Sequence, residues 1–534
     1  MTATMTPYQS AAPSSGAGFM QLLHAEWTKL RTVRGWLFAL ALGAVLIVAL
    51  GAGSAAGSHR GCGGGPGGQL SGKACAAANA PPTGPDGTPV TDNFYFVHQQ
   101  LDGDGSITVR VTSLSEQAPG AGQRPQGPAD GSVPWGTVTV PWAKAGLIVK
   151  AGTSQGSPYA SIMTTASHGV RFQYDFTHDV AGSDTTVSTT SPQWLRLTRS
   201  GSKLTGSESA DGAHWTVVGT ATLTGLPASI QAGLFVASPD YDVVDDHIVG
   251  TATYGGPSRA IATFDNVGLQ GGWTPGTWAG SQFGGDGSGP LGPPGSRFTQ
   301  SGGVFSVTGT GDIAPAVGDP DNNTIGGSLI GSFAGLIALV VLGTLFITAE
   351  YRRGLIRTTL AAAPDRGRVL AAKSVVVGVV TFVVSLAGCL IAVWLVGDLR
   401  RNNGFYVVPA SASTTARVIV GTAALLAVSS VFALAVGTIV RRSAATIATV
   451  IALVVLPYIL GASAIGPLVW LLRLTPAAAF AVQQGYHRYS QVDGVYTAAG
   501  GYFPLPPWAG FGVLCLWTAT ALGLALYLLR KRDA

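Results

Sequence analysis

The stretch GGQLSGKA, residues 67–74, comes close to a phosphate-cradling loop, with Gly67, Gly72 and Lys73 at the required spacing. Such a loop needs a hydroxyl after the lysine to hold magnesium, and Ala74 stands there instead. No strand pattern precedes it and no long helical pattern follows, so it is not read as a nucleotide site. LDGDGS, residues 101–106, sets two carboxylates among glycines. The terminal Glu of a full calcium loop is absent, and the stretch reads as a tight turn. The eight His residues are scattered with no pair at zinc-ligand spacing, so no metal site of that type is expected. No catalytic residue is assigned. The remaining candidate is EYRRGLIRTTLAAAPDRGRVLAAK, residues 350–373, which places a dense run of charge between two apolar segments. Its chemistry is recognition rather than bond-making.

The elements around these stretches belong to lipid. Charged residues are 11% of the 534 and hydrophobic residues 46%, against about 25% charged in an ordinary soluble domain. Residues 1–18 are small and polar and read as a disordered tail. Residues 19–34 follow a helical period, with Met20, Leu23, Trp27 and Leu30 on one face and Lys29, Arg31 and Arg34 near the end. That is the pattern of an interfacial amphipathic helix, the competing reading being a signal-peptide n-region. Apolar spans of membrane length are expected at 35–57, 325–348, 374–396, 416–440, 444–462 and 508–529, with Pro457 interrupting the fifth. Residues 58–325 contain no such run. They hold short alternating segments such as NFYFVHQQL, SITVRVTSL and KAGLIVKAG, separated by turn signals such as DGDG, SADGA and GLPAS. That pattern predicts an all-β sandwich inserted between the first and second spans.

Charge fixes the expected orientation, because Lys and Arg gather on the cytoplasmic side. With the N-terminus inside, the inner segments hold Lys29, Arg31, Arg34, Arg352, Arg353, Arg357, Arg366, Arg368, Lys373, Arg441, Arg442, Arg530, Lys531 and Arg532. The short outer loops hold only Arg400, Arg401, Arg417, Arg473 and Arg488. The sandwich is acidic and lies outside; both termini lie inside the plasma membrane. On that oxidising side Cys62 and Cys75 flank a Gly-rich loop and are expected to form a disulfide, while Cys389 and Cys515 are packing residues within spans.

The charged stretch then falls on the cytoplasmic side between spans two and three. Residues 350–363 lack proline and read as a helix with Gly354 as its weak point, ended by Pro364, with DRGR as the turn. A charge buried at mid-bilayer costs about 2.5–3.5 kcal/mol, so Glu350, Arg352 and Arg353 must lie at the headgroups or against a protein. Glu350 and Arg353 can pair at i, i+3. Leu355, Thr359 and Ala362 share an apolar face suited to docking a cytosolic protein.

HAEWTKLRTVRGW, EYRRGLIRTTLAAAPDRGRVLAAK and RLTPAAAFAVQQG, in that order and among six spans with both ends inside, resemble an ABC-2 type transporter permease. The resemblance covers roughly 19–57 and 325–534. It implies that the 350–363 helix is a coupling helix received by a groove of a separate ATPase subunit, with Glu350, Arg352, Arg353, Leu355, Arg357 and Thr358 at the contact. It also implies no cofactor in this chain, ATP and magnesium being held by the partner, and a dimer with itself or with a related permease. In the third motif Thr475 suits an N-cap, Pro476 the first helical position and Gly485 the end of a short helix; the family places a re-entrant segment here.

Between about 90 and 270, with a further strand at 303–315, the β region resembles concanavalin A-like (LamG-like) jelly rolls. DNFYFVHQQLDGDGSITVRVTSL, QWLRLTRSG to SADGAHWTVVG and ATFDNV carry the likeness. Glycosidases of that superfamily need a carboxylate pair, and none stands at i, i+2 on a core strand. Trp142, Tyr174 and Trp194 could stack a sugar, though filling the core is the commoner use of such rings. The sequence thus points to a non-enzymatic permease in the bilayer whose outer sandwich binds a glycan, substrate or accessory protein, with no nucleic-acid partner. The alternative reading is a membrane-anchored glycan-binding or sensing protein without transport, for which one span would suffice.

Overall fold

The computed structural model describes residues 18–62, 71–119, 135–246, 251–284, 296–316, 323–362, 365–462, 467–493 and 496–531. The N-terminal tail, Gly67 of the phosphate-loop look-alike, Pro364 and the last three residues lie outside them. The chain divides into two compact units. Residues 1–79, 319–485 and 497–534 form a helical unit, and residues 80–318 with 486–496 form a β unit.

The helical unit begins with α1 (Phe19–Thr32) and α2 (Arg34–Ala56), separated by one extended residue, Val33. A short helix, α3 (Gly72–Ala78), follows, and Cys75 on it is disulfide-bonded to Cys62. Then come α4 (Ser332–Arg352), α5 (Leu355–Ala362), α6 (Arg366–Asn402), α7 (Ala412–Val440), α8 (Ser443–Gly461), the single turn α9 (Leu471–Leu474) and α10 (Pro507–Lys531). Six of these, α2, α4, α6, α7, α8 and α10, are long and apolar enough to cross a membrane. The apolar windows of α7 and α4 are 78% and 67% buried, that of α2 only 22%, so α4 and α7 form the inside of the bundle. Phe38 and Val45 on α2 and Val383, Leu390 and Trp394 on α6 face outward, as lipid-contacting side chains do. Close approach of α4 to α7 depends on Gly343, where a Cβ would fall 2.1 Å from the Ser430 carbonyl oxygen. The second span begins at Ser332 rather than 325, after a 3₁₀ turn at Gly327–Leu329.

The β unit is antiparallel throughout its main sheet. Its axis is a strand of 26 residues, Phe94–Pro119. Its first part pairs with Ser229–Ala237, and its second with Gln193–Ser200 and Arg259–Trp273. The expected turn at DGDG is therefore absent: the chain passes through it as a kink, with Gly103 at φ +73° and register shifts against the neighbouring strand. Glycine lets the strand bend without ending, and one strand can then serve two sheet layers. Leu195, Leu197, Phe172, Leu147, Leu234 and Phe264 belong to the larger core. A second apolar cluster, including Phe94, Phe96, Tyr159, Phe176, Phe235 and Phe283, covers the other face. Residues 486–496 join this unit: Gln491 Nε2 donates to the Phe176 carbonyl at 2.9 Å, and Ser490 Oγ to Asp179 at 3.2 Å.

Candidate functional site

Four charged side chains meet where α1, the end of α4 and the start of α6 pack together. Lys373 Nζ lies 2.7 Å from Glu350 Oε1 and 2.8 Å from Glu26 Oε2. Lys29 Nζ lies 2.8 Å from Glu26 Oε1 and 3.1 Å from Glu350 Oε1. The side chains of Lys373, Glu26 and Glu350 are 1%, 3% and 6% exposed, while that of Lys29 is 37% exposed. Two ammonium groups thus neutralise two carboxylates inside a protein interface, with the Phe346 ring 5.1 Å from Lys373. Burial opposes the charge on Lys29, but the hydrogen bond and charge of Glu26, then of Glu350, hold its pKa above the usual lysine value.

This corrects the local pairing expected within the 350–373 stretch. Glu350 bonds across helices, not to Arg353, because α4 turns that face toward α1 and α6. Arg353 is the C-cap and exposed. The helix expected over 350–363 is broken. Gly354 takes φ +69°, and the N–H groups of Arg353 and Gly354 close the end of α4 on the carbonyls of Ala349 and Tyr351. A new helix, α5, starts at Leu355. DRGR is not a turn: Asp365 accepts from the N–H groups of Gly367 and Arg368 and caps α6.

On α5, Ile356 is buried while Leu355 and Thr358 are exposed. The Arg357 side chain lies outside the described part of the structure. Between α5, the end of α4 and the α7–α8 turn lies a cleft of about 820 Å³ lined by Tyr351, Arg352, Ile356, Arg441, Arg442 and Ser443. Arg441 adopts φ +60° at the C-cap of α7 and places its guanidinium 4.9 Å from the Tyr351 ring. Met20 and Trp27 of the first helix are exposed, Leu30 is buried and Leu23 packs against the bundle core. The expected apolar face is therefore split, and Glu26 lies on its buried side.

The segment Pro476–Gln483 forms a 3₁₀ helix with every residue buried. Thr475 caps it, accepting from the Ala477 N–H at 3.3 Å, and Pro476 opens it. Its end is Gln484 rather than Gly485. Phe480 stacks on Phe333 at 4.4 Å and meets Tyr458 at 4.8 Å, while Gln483 Nε2 donates to Ser332 at 3.2 Å. In α10 a Cβ at Gly510 would stand 2.2 Å from the Ala478 carbonyl, so only glycine lets the two elements touch.

In the β unit, Trp142 is buried against His168, and Tyr174 stacks on His178. Trp194 packs beside Arg110, which is paired with Asp265 at 2.6 Å. Of the three, Trp142 is core and closed to a sugar. Asp102 bonds to Gln100 and Thr274, and Asp104 accepts from the Gly201 N–H at 2.6 Å. The two stand at i, i+2 on the strand Phe94–Pro119, where no such carboxylate pair was expected, because the strand runs on through DGDG; both brace their neighbours.

Sequence reasoning missed Glu26 and Lys373 as partners. One signal existed: Glu26 is the sole acidic residue before Asp86, and it stands three residues after Leu23 and four before Leu30, on their helical face.

Residues 161–534 match the ABC-2 family transporter protein. The chain belongs to this family. The match starts inside the β unit and runs to the C-terminus, so it spans five of the six membrane helices. ABC-2 family membrane subunits are typically non-catalytic and usually pair with ATPase subunits. No curated protein matches the chain. Among solved structures, a functionally unknown protein from Saccharomyces cerevisiae is similar at 14% identity and TM-score 0.21, over 33% of this chain and 74% of that one. Scytalido-glutamic peptidase with a transition state analog inhibitor is similar at 9% identity and TM-score 0.25, over 41% of this chain and 98% of that one. Likeness at that level says nothing of activity.

Proposed function

We propose that this chain is the permease subunit of an ABC-2 export system and that a separate ATPase subunit docks on α5 and the adjoining cleft. The observation that carries the reading is the buried Glu26–Lys29–Glu350–Lys373 cluster. Glu350 stands four residues before Gly354, so a push on α5 reaches the cluster through the last turn of α4. The cluster then ties that turn to α1 and to α6, and three helices move as one. A buried charge cannot part from its partners without losing their compensation, which makes the junction stiff. Arg352, Arg441 and Arg442 give the cleft a basic rim suited to an acidic partner surface.

In this reading both termini and α5 are cytoplasmic and the β unit is extracellular, in keeping with the distribution of Lys and Arg and with the Cys62–Cys75 disulfide. The buried Pro476–Gln483 segment is the re-entrant element that closes the pathway, since irregular backbone at membrane depth needs protein cover. The chain works as a dimer, with itself or with a related permease. ATP and magnesium are held by the partner. The predominantly apolar spans favour an amphiphilic cargo, and the outer sandwich takes a glycan, substrate or accessory protein.

The test is co-purification from detergent of wild type beside Leu355→Asp/Thr358→Asp, both exposed and outside the charge cluster. The expected result is an ATPase subunit that elutes with wild type and is lost from the variant. An equal yield of ATPase with both chains, or none with either intact chain, overturns the docking site.

A further inference from the structure

Lys150 and Asp92 form an ion pair in the interior of the β unit. Lys150 Nζ lies 2.6 Å from Asp92 Oδ2, and both side chains are fully buried. Lys150 ends the strand Lys144–Lys150, while Asp92 ends the short strand Val90–Asp92, which pairs with Ile313–Pro315. The ammonium is ringed by aromatic side chains: Phe283 at 4.5 Å, Phe176 at 5.6 Å, Phe94 at 5.7 Å and Tyr159 at 5.8 Å. Asp92 Oδ2 also accepts from the Gly156 N–H at 2.8 Å. Asp92 Oδ1 and the Tyr159 hydroxyl are buried with no hydrogen-bond partner among the described residues. A carboxylate with one bare oxygen in an apolar cage is an expensive arrangement for a simple salt link.

We propose that this pair is the precursor of an intramolecular isopeptide bond between Lys150 Nζ and Asp92 Cγ. The ordinary obstacles to amide formation are a protonated amine, an ionised acid and competing water. Burial removes water and works against the separated charges. It also pulls the Lys150 pKa below the usual lysine value, with Asp92 offsetting only part of that effect. A proton passes from Nζ to the carboxylate, leaving a neutral amine beside a carboxylic acid. The nitrogen lone pair attacks Cγ and the C–N bond forms. One Asp92 oxygen departs as water, carrying the transferred proton and a second proton from nitrogen. The other oxygen remains as the amide carbonyl, and one proton stays on the amide nitrogen. Charge balances and no oxidant or other reactant is needed. The Gly156 N–H is placed to stabilise an Asp92 oxygen while Cγ is tetrahedral, and Gly156 is held at φ +80°, where a Cβ would strike the Thr83 carbonyl. The product replaces two buried charges by one neutral amide. It also ties the first strand of the unit to an interior strand of the sheet, as suits a domain exposed to force or proteases.

A second pair serves as an internal comparison. Lys144 Nζ lies 2.5 Å from Asp312 Oδ1, but Asp312 is 14% exposed and the same oxygen takes the Ile313 N–H. With water at its carboxylate, that pair stays ionic.

The experiment is intact mass measurement and peptide mapping of the purified full-length chain, reduced to open the disulfide. The expected wild-type mass is one water below that of the sequence, with a branched peptide joining positions 92 and 150. Asp92→Asn is expected to lose one ammonia instead, and Lys150→Ala to show its full mass. A wild-type chain at full mass with separate linear peptides, or a branch at 144 and 312 instead, overturns the proposal. The decisive measurement is on wild type, so poor folding of a variant leaves the result intact.

Discussion

Lys373 sits at the centre of the charge cluster, and its surroundings set what its loss would do. It bonds to both carboxylates and is 1% exposed. Lys373→Met leaves Glu26 and Glu350 sharing only the half-exposed Lys29, so stability is expected to fall by about 3–5 kcal/mol, the penalty for breaking a buried pair. Lys29→Met removes a partner already screened by solvent and is expected to cost about 1 kcal/mol or less. Thermal unfolding in detergent, followed by intrinsic fluorescence, would rank the two; equal losses would mean that Lys29 is as enclosed as Lys373. The charge of Glu350 was legible from the sequence, but its partner was not. Arg353 lies within helical reach of it, whereas Lys29 lies 321 residues away and Lys373 belongs to another helix.

Glycine controls two of the helical junctions. At Gly354 a Cβ would meet nothing among the described residues, so Gly354→Ala tests backbone conformation. An L residue at φ +69° is strained by about 1–2 kcal/mol, and α5 is expected to swing from its place. The expected outcome is a small loss in melting temperature with a marked loss of co-purifying ATPase; unchanged capture would show that the bend between α4 and α5 is unimportant to docking. At Gly343 the obstacle is a backbone oxygen, so Gly343→Ala forces α4 and α7 apart. Fluorescence-detected size-exclusion chromatography is expected to show a broadened, early peak. Phe480→Ala removes a fully buried ring from the Phe333–Tyr458 stack and is expected to cost about 3–5 kcal/mol in the same unfolding assay. The short motif around Pro476 was legible through its cap and proline. That all eight of its residues are buried was not, because the run PAAAFAVQ is equally compatible with an exposed turn of helix.

For the whole molecule, the open prediction is orientation. Ser202 is exposed at a hairpin tip of the β unit, and Thr28 is partly exposed on α1. In intact cells a membrane-impermeant maleimide is expected to label Ser202→Cys and to reach Thr28→Cys only after permeabilisation. The reverse pattern would place the β unit inside and remove the oxidising setting invoked for Cys62 and Cys75. The family assignment stands apart from this result, since it rests on residues 161–534 as a whole.

The sequence by itself determined the six spans, the position of the inserted β region and the family, because apolar length, strand alternation and motif order are local or additive properties. It also marked Gly354 as a weak point and Thr475 as a cap, since both follow from neighbours within a turn. Tertiary structure alone decided that DGDG bends one long strand instead of ending it, and that α1 carries a buried acid. It likewise decided that Glu350 faces inward and that Lys150 lies against Asp92 inside an aromatic cage. In each case the deciding partner is distant in sequence, as Glu26 and Lys373 are at 347 residues apart. The free energy of a buried charge is fixed by which opposite charge shares its cavity, and no local pattern encodes that neighbour.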